Sequence, residues 1–547
     1  MTLSQKKLNI ACCYACAALP FLFLLFTSYR VFAETMDDPY ITFRYAANFV
    51  AGHGPVFNVG EHVEGFTSPL HLALCAILLE IAPTLDILFK AKLASLIFAF
   101  VLLYQSGKLA ALFGLKPWEC IVAQSLLSLN MNFAIAAVNG LETTLYACLL
   151  IVAVSCFVSE GRAGTGFRSA GWLFLALLAR PDTYLIFATL LAVQLWRLRG
   201  GTNSVLTVVR WTALFVVPAL VLTGLRLSYY HALLPNTFYA KHVGVAFGIT
   251  HGLQYLTRTL SPDSVLIRTG LALHATWERR VQLLGMLVFW GLALLGMTKV
   301  PKRDAAVLGA LLAALLVLTL RTGGDWMPGW RFTIAFLPLL AAVQCFGLRA
   351  LGSFKVFSLS DKRRRVLRLA PAVCCLLLWA ITILSTLSHS WASVGYSTRG
   401  KTFLNASSGL GPLWVSVGDY IHSSVPAGAS VAYSEMGYAG FANLDKKFLD
   451  LRGLTNAEIA SLPAPLKGAA GVSDPQWYLA HGPVGQVIKR HQPDLIICLG
   501  PPIASELFEE QYRIASSVKS RLLWQVLAKE NVSVSIYVHN SSLKHLL

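Results

Sequence analysis

Two adjacent carboxylates, Asp37 and Asp38, follow the first hydrophobic run and open the first long polar stretch, Glu34 to Pro69. Behind them Tyr40, Phe43, Arg44, Tyr45, Asn48 and Phe49 recur at helical spacing, and His53, Glu61, His62 and Glu64 lie further on. A carboxylate facing lipid costs roughly 2.5 to 3.5 kcal/mol at the centre of a span, and at the surface it repels anionic headgroups. A simple anchoring loop has no use for such a cluster. One carboxylate can take a proton from an attacking hydroxyl, and nearby cations can balance charge on a leaving group. The stretch is expected to form an active site on the outer face of a membrane. Asp37-Asp38-Pro39 reads equally as a helix start, with Asp capping and Pro in the first turn. Both readings hold if one carboxylate caps while the other faces the cleft.

Composition sets the class. Of 547 residues, 56% are hydrophobic and only 13% charged, with a mean hydropathy of +0.60, whereas soluble domains carry about 25% charged residues. The net charge of +18 sits in short segments between apolar runs: Lys6-Lys7, Lys108 to Lys116, Arg162 to Arg168, Arg197 to Arg210, Lys299 to Arg303 and Lys362 to Arg368. That is the positive-inside pattern, and it excludes a nucleic-acid groove binder. Most of the eleven cysteines fall inside spans, and the polar C-terminal region has only Cys498, so no internal disulfide forms there. The apolar run from Leu8 to Phe32 is too long for a signal-peptide core and reads as an uncleaved anchor.

A spanning helix needs about 20 apolar residues. Leu8–Phe32 enters from the cytoplasm, and Leu70–Ala82 is long enough only for a re-entrant or surface-lying helix. Ile87–Leu112, Trp118–Val138 and Thr143–Val158 follow as full spans. Ala170–Trp196 has basic flanks at both ends and Arg180-Pro181-Asp182 in its middle, which predicts a hairpin of two short helices. Leu206–Leu227, Val281–Met297, Ala305–Leu320, Phe332–Leu351 and Leu369–Leu387 complete nine to eleven spans. An odd count from a cytoplasmic N-terminus places the C-terminus outside. Residues 1–388 thus read as a membrane domain with polar loops at 34–69, 228–280 and 321–331. Residues 389–547 read as an exported α/β domain, with strands at Ala429–Tyr433, Leu495–Leu499 and Val532–Val538 and a helix at Val415–Ser423.

The loops and the hairpin tip share one composition. The second loop carries Asn236, Tyr239 and Lys241, the third Asp325, Trp326, Trp330 and Arg331, and the tip Arg180 and Asp182; Glu142 lies on the same side. Cations and rings at headgroup level suit a lipid-linked phosphate and its sugar. Aromatic belts with snorkelling Lys and Arg are normal anchors, but anchoring needs no Asp. Transfer of a group from a lipid phosphate to an acceptor hydroxyl uses these parts: a carboxylate base, cations for the departing phosphate, and inversion at the transferred carbon.

The motifs DDPYITFRYAANFVAGHGPVFNVGEHVEGFTSPL, NGLETTLYA, LARPDTYL, LLPNTFYAK and GGDWMPGWRF, in that order, resemble the GT-C glycosyltransferases that include the mycobacterial terminal arabinofuranosyltransferase. SEMGYAGF, FLDLRGLTN and HQPDLII extend the likeness more weakly. The resemblance implies a polytopic α-helical GT-C fold in a bacterial inner membrane and a polyprenyl-phosphate sugar donor, arabinofuranose being one candidate sugar. It further implies a periplasmic glycan, glycolipid or protein acceptor and a first-loop Asp as base, either Asp37 or Asp38. By their chemistry, Arg180, Lys241 and Arg331 are expected to meet the donor phosphate, and Asn236, Tyr239 and Asp325 the sugar. Arg44, Tyr45, Glu64, His71, Glu142, Asp182 and Trp326 complete the candidate binding set. His71 stands where an aromatic is expected. No motif requires a cofactor, though Asp37, Asp38 and Glu64 could offer oxygens to Mg2+ or Ca2+. Glu80, Lys90 and Lys92 read as interfacial side chains, and the GDY and LRGL segments as packing and turn elements.

Competing readings are a related oligosaccharide or lipid-A-type transferase, a flippase of lipid-linked sugars, and a membrane-anchored glycan binder. A flippase places polar groups at mid-membrane in repeated, broken helices; here they cluster on one face without repeats.

Overall fold

A computed structural model describes residues 3–33, 36–164, 166–201, 203–241, 245–259, 290–324, 331–353, 394–396, 403–405, 411–462, 482–499, 512–514 and 534–542. The chain divides into two compact units: Met1–Phe32, Lys92–Ala219 and Val245–Ala392 form one, and Ala33–Ala91, Leu220–Gly244 and Ser393–Leu547 the other.

In hydrocarbon every backbone polar group must be satisfied within its own segment, so long apolar runs become helices. Among the described residues Ile87–Leu112, Thr143–Ala163, Val205–Tyr230 and Lys302–Thr322 are long and apolar enough to cross a membrane. The first run forms the helix Leu3–Val31. The expected hairpin is present as Arg168–Ala179 and Thr183–Arg199. Pro181 disfavours a helical Arg180, whose backbone is extended at φ −155°, ψ 135°.

One expected span is broken. Trp118–Val138 forms two helices, Pro117–Ser128 and Met131–Ala137. The Asn130 side chain accepts from the backbone N–H of Asn132 and Phe133 and so starts a new helix. A hydropathy count does not register capping. The expected spans Val281–Met297 (save its last turns) and Leu369–Leu387 lie outside the described residues. Lys92 is also not interfacial: it is fully buried, its Nζ donating to the Phe32 carbonyl at 2.6 Å.

The second unit is built on a five-stranded sheet. Its strands are β3 (Ser430–Tyr433), β4 (Lys447–Asp450), β5 (Leu495–Leu499), β6 (Tyr512–Ile514) and β7 (Val534–His539), in the order β4-β3-β5-β7-β6. β3 runs parallel to β4 and β5, while β7 is antiparallel to β5 and β6. A two-stranded antiparallel ribbon, β1 (Val394–Tyr396) and β2 (Phe403–Asn405), precedes it. Alternation sends Val431, Tyr433, Leu495 and Ile497 to one face and Ala432, Ile496 and Cys498 to the other. The helix Gly411–Ser424 covers the first face with Val417 and Ile421, and Pro483–His491 covers the second with Val484 and Ile488.

The first face has a further cover. Ile41, Tyr45, Phe57 and Phe66, all from the first polar loop, belong to the same core cluster. Each such side chain contributes about 1.5 to 3 kcal/mol when fully buried, so the loop is a structural part of this unit. Its helix, Pro39–Val50, packs against the short helix Pro69–Glu80. Lys90 holds the end of that second helix, donating to the carbonyls of Ile81 and Ala82.

Candidate active site

Polar contacts weld the first loop to the C-terminal strands. Arg44 is 1% exposed; its Nε donates to the Phe57 carbonyl at 2.7 Å, and its Nη atoms donate to the carbonyls of Gly440, Asn443 and Lys446. The guanidinium also lies over the rings of Phe57 and Phe448. Asn58 pairs with β4 as a strand would: its Nδ2 donates to the Phe448 carbonyl at 2.7 Å and its Oδ1 accepts from the Phe448 N–H at 3.0 Å. The second loop is fastened in the same manner. Asn236 donates to the carbonyls of Gly453 and Leu454, and Arg226 forms a salt bridge with Glu64 at 2.5 Å.

These contacts revise the expected binding set. Arg44 spends its donors on carbonyls, and Asn236 has both amide bonds committed to a turn. Tyr45 is fully buried, its hydroxyl donating to Val63 and accepting from the Gly65 N–H. Glu64 is engaged by Arg226, and His71 is buried with the Cys75 Sγ 3.5 Å away. These five hold the loops in shape. Tyr239 and Lys241 are exposed. Asp325 and Trp326 lie outside the described residues.

In the other unit, Glu142, Arg180 and Asp182 do come together. Arg180 donates to Asp182 at 2.7 Å and to Glu142 at 3.0 Å, beneath the ring of Phe332. Its charge is matched by two carboxylates, leaving the trio net negative. An anionic phosphate gains little from such a cation, so the expected phosphate contact of Arg180 is not supported by its surroundings. Arg331 is half-buried and lies over the same Phe332 ring.

The carboxylate pair is the remaining cluster. Pro39 starts the helix Pro39–Val50 and Asp38 occupies its cap position, yet no side-chain cap bond forms. Asp37 turns inward instead and is 4% exposed. Its Oδ2 accepts from the Gly437 N–H at 2.8 Å and its Oδ1 from the Tyr438 N–H at 2.7 Å. Burial pushes the Asp37 carboxyl up to about 7; the two N–H groups pull it down, and the charges of Glu435 and Asp38 push it up. Tyr40 and Tyr433, nearly fully buried beside it, have hydroxyls without a hydrogen-bond partner among the described residues. A carboxylate fixed by two backbone donors, without a salt bridge among the described residues, and titrating near neutrality is equipped to accept a proton. No three His, Cys, Asp or Glu side chains converge among the described residues.

Sequence reasoning missed Gly437. A Cβ built there would lie 2.0 Å from the Asp37 carbonyl oxygen and 2.4 Å from its Cγ. The backbone at Gly437 has φ −69°, so glycine is required by space and not by conformation. Gly437→Ala is expected to pry Asp37 from its donors and destabilise this unit by about 1 to 3 kcal/mol. Thermal melting of the purified protein checks it: a variant that melts with the parent shows slack in the clasp.

The architecture is the GT-C fold. The structure superposes on ArnT from Cupriavidus metallidurans bound to undecaprenyl phosphate with a TM-score of 0.52 at 12% identity, covering 94% of this chain and 96% of that one. The Archaeoglobus fulgidus oligosaccharyltransferase, solved tethered to an acceptor peptide, gives a TM-score of 0.53 at 12% identity, covering 88% and 69%. In sequence, the chain is 28% identical over 348 residues to the terminal beta-(1->2)-arabinofuranosyltransferase of Corynebacterium glutamicum. That match covers 56% of this chain and 46% of the relative, so the chain spans about half the length of the curated relative it matches. Residues 406–537 match a family described as a domain of unknown function, DUF8728.

Proposed function

We propose that this protein is an inverting glycosyltransferase of the inner membrane. It transfers a sugar, arabinofuranose being the first candidate, from a polyprenyl-phosphate carrier to a hydroxyl of an extracytoplasmic glycan, glycolipid or protein. The observation that carries the reading is Asp37, a buried carboxylate held by two N–H donors with its protonation balanced near neutral pH. The relatives add the donor class, since ArnT was solved with undecaprenyl phosphate and the sequence relative is an arabinofuranosyltransferase.

In this reading Asp37 is the base. The acceptor O–H proton passes to its carboxylate as the acceptor oxygen attacks the anomeric carbon. The bond from that carbon to the phosphate oxygen breaks, and the carrier leaves as polyprenyl phosphate, a stable anion that needs no general acid. Lys241 supplies positive charge for it, while Tyr239 offers a ring to the sugar. The N-terminus is cytoplasmic, and the loops and C-terminal region face outward.

Membranes containing the protein, supplied with polyprenyl-phosphate pentose or hexose and a crude envelope acceptor, should add one sugar residue to the acceptor by mass. Failure with every such donor, together with movement of a lipid-linked sugar between leaflets of a vesicle, would replace the transferase reading by the flippase.

A further inference from the structure

We propose that the segment LLPNTFYAK, residues 233–241, is a foot that rests on phospholipid where headgroups meet acyl chains, with Leu233, Leu234 and Phe238 as its lipid-facing side chains. The inference does not depend on the reading of Asp37. The sequence assigned this segment to a donor phosphate and its sugar. The structure gives Asn236 to a turn instead and leaves the apolar side chains of the segment without a role.

The segment has two sides, and they are the reverse of those of a loop in water. Its polar side points inward. Asn236 Nδ2 donates to the carbonyls of Gly453 and Leu454, its backbone N–H donates to the Glu64 carbonyl at 2.9 Å, and Thr237 is buried beside it. Its oily side points out: Leu233 is 58% exposed, Phe238 53% and Leu234 38%. Single exposed apolar residues are normal on any protein. These, however, continue a surface already committed to lipid, for Val217, Leu220, Val221 and Leu225 on the preceding span are also exposed.

Helix geometry sets the height of the segment. The span is the helix Val205–Tyr230, and its first buried ion pair with the first loop is Arg226 with Glu64. From Val205 to Leu225 is about 21 residues, or roughly 32 Å at 1.5 Å per residue, against about 30 Å for the hydrocarbon core. Polar contacts begin where that length ends. The Tyr229 carbonyl meets His62 Nδ1 at 3.0 Å, and the Tyr230 hydroxyl donates to the Pro55 carbonyl at 2.8 Å. Arg226 to Tyr230 adds about 6 Å of rise, comparable to the roughly 5 to 7 Å headgroup layer on each side of a bilayer. There the helix stops. His231 takes a left-handed backbone at φ 56°, and its N–H closes on the Leu227 carbonyl at 3.1 Å. The chain is thereby turned aside within the headgroup layer. Tyr239 and Lys241, exposed next to Phe238, have the amphipathic chemistry that favours this level.

Carbene labelling of the full-length protein in phospholipid nanodiscs tests the foot without any substitution. Three probes are used: a phospholipid with its diazirine close to the headgroup, one with it at the chain end, and a water-soluble diazirine. Adducts are mapped by mass spectrometry. Leu233, Leu234 and Phe238 should react with the shallow lipid, Val217 with the deep one, and the exposed Arg490 and His491 only with the water-soluble probe. In the double variant Leu233→Asp, Phe238→Asp the segment should lose most of its shallow-lipid adducts, while melting in detergent stays with the parent because neither side chain packs inside. Labelling of 233–238 by the water-soluble probe alone overturns the foot. So does labelling by the deep lipid as strong as at Val217, which would make the segment part of a span. Protection from all three probes would place protein over it, a second copy or another chain, and overturn it equally.

Discussion

Asp37→Asn is expected to lower sugar transfer by about 10²- to 10⁴-fold with the fold preserved. The amide retains one acceptor for the Gly437 or Tyr438 N–H and loses the other, a cost of about 1 kcal/mol. Against this, the buried charge disappears. The sign of the pH dependence follows from the upward displacement of Asp37 from its ordinary value of 3.8 to about 7. Below pH ~4 the carboxyl is protonated in both folded and unfolded chains, and its titration costs nothing. Between ~4 and ~7 the unfolded chain releases the proton while the folded one keeps it, so stability declines as pH rises, and above ~7 the full cost is present. Asp37→Asn should thus melt higher relative to the parent at pH 8 than at pH 4. Activity runs the other way, because a base must be ionised: transfer by the parent should climb through about pH 7. Paired assays with Asp38→Asn decide between the neighbours. Near-normal transfer by Asp37→Asn alongside a dead Asp38→Asn would reverse their roles.

Arg44→Ala should cause the largest loss of stability, on the order of 3 kcal/mol. The carbonyls of Gly440, Asn443 and Lys446 would lose the guanidinium donor inside the protein. Gly440 and Asn443 keep longer bonds from the N–H groups of Asn443 and Lys446, at 3.3 and 3.2 Å. The loss therefore falls hardest on Lys446, where a buried unsatisfied acceptor costs about 1 to 3 kcal/mol, and the guanidinium's ring contacts go with it. The Phe57 carbonyl is spared because the Asn48 amide also reaches it at 3.0 Å. Arg44→Lys should rescue little. An ammonium offers a single point of charge, where this site needs a planar fork spanning carbonyls from two separate segments. Burial lowers the Arg44 pKa to about 10, so the group remains charged at neutral pH and the substitution removes a cation, not a neutral base. Thermal melting and protease cleavage within residues 50–65 measure the effect. A variant as resistant as the parent would show that the guanidinium's bonds to these carbonyls add no net stability.

Local patterns carried much of this architecture. The hairpin around Arg180-Pro181-Asp182 follows from two basic flanks and a proline, and the strand Val534–His539 follows from the alternation in VSVSIYV. What escaped was non-local. A charged residue in a polar loop looks available, yet Arg44 is consumed by carbonyls roughly 400 positions away. Arg180 looked like a phosphate ligand because the sequence places Asp182 beside it but hides Glu142. Gly437 carried no local signature at all, since its meaning depends on a turn docking against Asp37. Composition identifies which side chains can do chemistry; only packing decides which are left to do it.

The clasp between Asp37 and Gly437 joins positions 400 residues apart. At ribosomal speeds of about 5 to 20 residues per second, roughly 20 to 80 s separate the synthesis of the two partners. During that interval Ile41, Tyr45, Phe57 and Phe66 have no sheet to cover them, and the nascent chain presents a sticky, inactive loop. Assembly of the Asp37 clasp is thereby a late event in the birth of the molecule, and a chain cut short before residue 437 is born without it.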